Sequence, residues 1–108
     1  MDAQLKAKWV EALRSGEYSQ TQNWLRDGEG FCCLGVLCDL SQLGEWSPSN
    51  EGSMQRYTVG KDYHRTQFLP FAVKEISGLS GDDCDPIVKM NDDGKSFAEI
   101  ADYIEAHL

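Results

Sequence analysis

Long apolar runs are missing from this chain. The most hydrophobic stretch, residues 31–40, is interrupted by Asp39 and falls well short of the ~20 residues that a membrane helix needs. Basic residues are scarce too: 10 Lys and Arg stand against 18 Asp and Glu, for a net charge of −8. Non-specific nucleic-acid binding needs a positive face to displace counterions, so direct binding of that kind is not expected. There is no Cys-x-x-Cys pair, no internal repeat and no low-complexity tract. The opening residues, Met1-Asp2-Ala3-Gln4-Leu5-Lys6, show neither the h-region of a secretory signal nor a lipidation pattern. A cytoplasmic protein with no membrane partner is the expectation.

What is present is enough for a core. Apolar residues make up 41% of the 108, including 3 Trp, 4 Tyr and 4 Phe, which argues for a single folded domain over residues 1–108. Three of the four cysteines, Cys32, Cys33 and Cys38, lie in one apolar segment, and the fourth is Cys84. On a helix, Cys33 and Cys38 point roughly 140° apart and cannot bridge. Free, buried thiols acting as small hydrophobes are therefore expected.

The periodicities predict an α+β fold: three to four helices around a central apolar helix at 33–43, with a small antiparallel hairpin or sheet. Residues 2–15 carry Leu5, Trp9 and Leu13 on one face, with Asp2 as N-cap and Gly16 as terminator. Asp27-Gly28-Glu29-Gly30 reads as a hairpin turn between Asn23-Trp24-Leu25-Arg26 and Phe31-Cys32. In the central helix, Gly35 implies close approach of another backbone, and Gly44 is expected to end it. Residues 45–69 form an irregular segment: Glu45 to Ser53 reads as turn chemistry, followed by short strands at Arg56-Tyr57-Thr58-Val59 and His64-Arg65-Thr66-Gln67-Phe68. Pro70 begins a short helix with Phe71, Val73 and Ile76 inward and Gly78 at its end. Residues 79–95 read as loop, with a brief strand at Ile87-Val88. Ser96-Phe97-Ala98-Glu99 is a capping box opening the last helix.

The side chains offer five readings. An EF-hand register with Gly94 at loop position six puts Lys89 and Ile100 at the first and last ligand positions, which calcium does not tolerate. The cysteine and histidine spacing does not converge on zinc either, so no cofactor is expected. A cysteine-dependent enzyme would use Cys32 or Cys33 at a helix N-terminus, where the dipole lowers a thiol pKa, with His64 as base and Asn91 or an aspartate as orienter. A ligand-binding reading draws on the locally basic stretch 56–65, where Arg56, Tyr57, Lys61, Tyr63, His64 and Arg65 combine cations with aromatic faces, as a nucleotide-like small molecule requires. A protein-interaction reading draws on the opposite charge. Asp82, Asp83, Asp85, Asp92, Asp93, Glu99, Asp102 and Glu105 face only Lys89 and Lys95, leaving −6 in the last quarter and −2 over residues 1–81.

Three segments carry a resemblance: residues 9–20, residues 25–40 with their Phe31-Cys32-Cys33-Leu34-Gly35-Val36-Leu37-Cys38-Asp39 run, and residues 91–105 with Asn91-Asp92-Asp93-Gly94-Lys95-Ser96-Phe97-Ala98-Glu99-Ile100-Ala101. Together with Leu69-Pro70-x-x-Val73, they resemble a family of small proteins of tailed bacteriophages and prophages. The resemblance covers about half the chain and leaves 45–68 aside. It implies a setting in the bacterial host cytoplasm and a host or anti-phage defence protein as partner. The leading expectation is a non-enzymatic accessory protein that inhibits such a factor by binding. The rival expectations are a nucleotide-sequestering protein and a cysteine-dependent enzyme.

Overall fold

A computed structural model describes residues 1–49, 52–60 and 67–108. Asp2 opens the first helix, α1 (Ala3–Ser15), its carboxylate accepting from the Leu5 N–H at 2.8 Å, and Gly16 closes it in the left-handed region. One face buries Leu5, Trp9, Val10 and Leu13. The chain then lays down three two-residue strands, β1 (Ser19–Gln20), β2 (Arg26–Asp27) and β3 (Gly30–Phe31). β2 and β3 form the hairpin expected at Gly28, whose φ of 61° suits that turn. Asn23, expected in the first arm, has a φ of 72° and lies outside the strand.

The central helix is α2 (Cys33–Ser41), with every residue from Cys33 to Cys38 buried. Gly35 has the role inferred from sequence: a Cβ there would overlap the Leu25 carbonyl, so only glycine lets the hairpin lie against the first turn. Gln42, not Gly44, closes the helix, and Leu43 is exposed. Gly44 instead lets the backbone pass close to the Thr58 carbonyl, where a Cβ would also collide. The segment 45–48, read from sequence as turn, is a strand: β4 (Glu45–Pro48) pairs antiparallel with β5 (Met54–Thr58). β5 also pairs with β2, giving a five-stranded sheet in the order β1-β3-β2-β5-β4, antiparallel except between β1 and β3.

Three more helices complete the fold. Pro70 precedes α3 (Phe71–Ser77), which ends at Gly78 as expected. Its inward residues are Val73 and Ser77; Phe71 and Ile76, expected inside, are 70% and 46% exposed. A seven-residue helix presents only one short stripe, and Val73 and Ser77 at i and i+4 occupy it. Next comes α4 (Gly81–Asp92), where the sequence suggested a loop and a strand. Ser80 and Asp83 form a full capping box, and Ile87 points into the core as a helical residue. The last helix is α5 (Phe97–His107), opened by the expected Ser96–Glu99 box. The α+β class thus stands, with five helices among the described residues.

Packing converges on α2. α1, α3 and α4 contact it, and α5 lies across α1 and α4. The Trp9 indole N–H donates to the Cys33 carbonyl at 2.9 Å, tying α1 to the start of α2. All four thiols are free and buried. His64, Arg65 and Thr66 of the suggested strand at 64–68 lie outside the described residues; Gln67 and Phe68 are exposed and belong to no strand.

Candidate functional site

The acidic residues emerge from two contacting helices, and all but Asp83 are exposed. Most have work inside the fold. Asp83 accepts the Ser80 N–H at 3.0 Å, and that bond draws its pKa below the ordinary value. Glu99 accepts the Ser96 N–H at 3.4 Å and sits 4.0 Å from the Lys95 ammonium. Asp93 pairs with Lys89 at 2.8 Å. Asp92 accepts the Asn23 backbone N–H at 2.9 Å and so anchors the loop between β1 and β2. Asp102 and Glu105 both receive the Arg14 guanidinium, at 2.6 Å each, and these hydrogen bonds raise the Arg14 pKa. Only Asp82 and Asp85 have no polar side-chain partner among the described residues. Arg14 and Lys6, both remote in sequence, reduce the local excess from −6 to −4, since the Lys6 ammonium donates to the Glu105 carbonyl at 3.3 Å. Exposed pairs of this sort add little to stability, so the field they leave matters more than the bonds.

The basic stretch is divided. Lys61, Tyr63, His64 and Arg65 lie outside the described residues. Arg56 and Tyr57 are neighbours on β5 and therefore project to opposite faces of the sheet. Tyr57 is a core residue: it is 1% exposed, its ring lies 4.8 Å from that of Trp46, and its hydroxyl accepts the Gly44 N–H at 2.7 Å. It offers no free face for stacking a base. Arg56 is half-buried, with Nε donating to the Ser47 hydroxyl at 3.2 Å.

The cysteine reading meets a different obstacle. Cys32 is the N-cap of α2, its sulfur accepting from the Gly35 N–H at 3.4 Å. The helix terminus was expected to lower a thiol pKa here. Burial outweighs it, raising Cys32 to about 11 and Cys33 well above its ordinary value. A cavity of only about 20 Å³ lies beside them, lined in part by Gln67 and Asn91. His64 lies outside the described residues, and Asn91, suggested as its orienter, has partners of its own. It is a buried clip, its Oδ1 accepting from the Cys33 N–H at 3.2 Å and the Gln20 amide at 3.0 Å, its Nδ2 donating to the Thr21 carbonyl at 2.8 Å. These bonds fasten α4 to α2 and to the end of β1.

One polar centre was not anticipated. Asp39, on the half-buried side of α2, accepts the Tyr18 hydroxyl at 2.6 Å and the Trp46 indole N–H at 3.1 Å. Burial and that bond to Asp39 push the Tyr18 pKa upward. The signal in the sequence was Asp39 itself: a lone carboxylate in an apolar helix requires donors, and tyrosine and tryptophan were the available ones.

Fold and surface define a small α+β domain built on a buried helix, with an acid-rich helix pair at its C-terminal end. The chain belongs to the family described as a domain of unknown function, DUF8296, whose model matches residues 1–90. That match runs through 45–68 and ends before Asn91, so α5 lies beyond it. No curated protein and no solved structure matches the chain. Among the described residues, no helix is long and apolar enough to cross a membrane.

Proposed function

We propose that the protein is a non-enzymatic binding protein of phage or prophage origin that acts in the host cytoplasm by docking its α4–α5 surface on a basic site of a host or anti-phage defence factor. The observation that carries this reading is the concentration of exposed carboxylates on two contacting helices, offset among the described residues by Lys89, Lys95, Arg14 and Lys6. Such a surface speeds encounter with a cationic partner and can fill a groove shaped for a phosphate backbone. The family resemblance supplies the setting, and the buried, high-pKa thiols favour binding over nucleophilic chemistry.

The test neutralises Asp82, Asp85 and Asp93, whose side chains hold no tertiary contact together, by substitution to Asn. The tagged wild type should capture a partner from phage-infected cells that is released by high salt, and the triple variant should lose it while keeping its circular dichroism spectrum. Equal capture by the variant, or no salt-sensitive partner for the wild type, overturns the acidic-surface reading.

A further inference from the structure

We propose that Arg26 anchors an oxyanion site on the sheet, built to take the two oxygens of a carboxylate or phosphate group end-on. The strand register places Arg26 opposite Phe31 on one side and Gln55 on the other, so all three share a sheet face. The guanidinium carbon lies 4.7 Å from the centre of the Phe31 ring and 5.6 Å from that of Trp46. Its Nε–H donates to the Gly28 carbonyl at 3.1 Å. That bond occupies the side-on edge of the guanidinium. The end-on fork, made by the two Nη groups, has no protein partner among the described residues.

The supports of this arginine are themselves fixed. Asp39 holds Trp46 through its indole N–H and Tyr18 through its hydroxyl, and Tyr18 meets Phe31 edge-on at 5.0 Å. Phe31 and Trp46 are edge-on to each other at 5.7 Å. One carboxylate on α2 therefore aims the aromatics over which Arg26 is stacked. A half-buried arginine held by stacking and by one backbone bond has lost much of its freedom before any ligand arrives, which is what bidentate recognition of a planar oxyanion rewards. Among the described residues no acid pairs with the fork: Asp39 accepts from Tyr18 and Trp46, and Asp27 projects to the other face, where the Ser53 hydroxyl donates to it. The site is separate from the acidic helices and does not rest on the function proposed for them.

The experiment titrates the full chain with acetate and, separately, with inorganic phosphate, following the Trp46 indole N–H and the Arg26 Nε–H by NMR, with chloride at matched ionic strength as control. One oxyanion or both should produce saturable shifts at about millimolar concentration, and which one does names the ligand class. Arg26→Lys keeps the charge but loses the fork, and should weaken binding by about tenfold or more. Arg26→Gln, which retains a donor for the Gly28 carbonyl, should abolish it while the melting temperature shows the fold intact. Shifts that fail to saturate, that chloride reproduces, or that persist unchanged in Arg26→Lys overturn the proposal.

Discussion

At the scale of single residues, the thiols are the groups most displaced from their solution behaviour. Cys32 has an ordinary pKa of 9.0 and is raised to about 11 in the fold, chiefly by burial. Between those values the unfolded chain has released a proton that the folded chain keeps. The stabilisation is complete below pH 9 and is lost as pH climbs through about 11. For Cys32 alone it amounts to roughly 2–3 kcal/mol. Cys33, Cys38, Cys84 and Tyr18 shift in the same direction, so the alkaline loss of the whole protein is steeper. Urea unfolding at a series of pH values measures it. Cys32→Ser preserves a side chain that can accept the Gly35 N–H and removes the titration, so its alkaline decline should be shallower by that amount. An identical decline in the variant would mean that Cys32 ionises in the fold as freely as in water.

At the scale of elements, α4 carries an internal contradiction. Its Ser80–Asp83 capping box is complete, yet Pro86 sits inside the helix. A proline there cannot donate to the Asp82 carbonyl and crowds it as well. Pro86→Ala should therefore stabilise the protein by about 1–3 kcal/mol, read from the denaturant midpoint at constant slope; a lower midpoint would show that the ring's packing outweighs the missing bond. The same contradiction explains why α4 was illegible. Pro86 and the acids Asp82, Asp83 and Asp85 spoke for a loop, and a capping box closed by Asp in place of Glu is the weaker signal. α1 and α5 are legible because caps and apolar spacing agree along them, and α2 because it is apolar nearly all round, although its end falls at Gln42 and not at Gly44. β1 and β4 are not: a two-residue parallel strand has no periodicity, and Ser47-Pro48 imitates a turn until Met54–Thr58 provides a partner. For the candidate site, sequence located the carboxylates of α4 and α5 but not their partners. Arg14 reaches Asp102 and Glu105 across nearly the whole chain, and nothing local announces that. The burial of Tyr57 is hidden for a related reason, since strand alternation turns it inward while Arg56 faces away.

At the scale of the whole molecule, two electrostatic effects oppose each other, and salt separates them. The described residues hold four ion pairs, every partner of which is substantially exposed. If these pairs governed stability, screening would lower it. The chain also carries a net charge of −8, and self-repulsion of that excess favours the expanded state. Exposed pairs contribute little after solvent screening, whereas the repulsion sums over many like charges on the exposed faces of α4 and α5. Screening should therefore act more strongly on the repulsion. We expect the melting temperature near pH 7 to rise by about 2–4 °C on raising sodium chloride from about 0.01 M to about 1 M, which shortens the Debye length from about 30 Å to about 3 Å; the rise is equivalent to ~0.5 kcal/mol for a domain of this size. Scanning calorimetry in low and high salt decides the matter. A fall would assign the balance to the ion pairs, and the acid-rich helices would then be a self-compensated structural surface with little field left to draw a cationic partner.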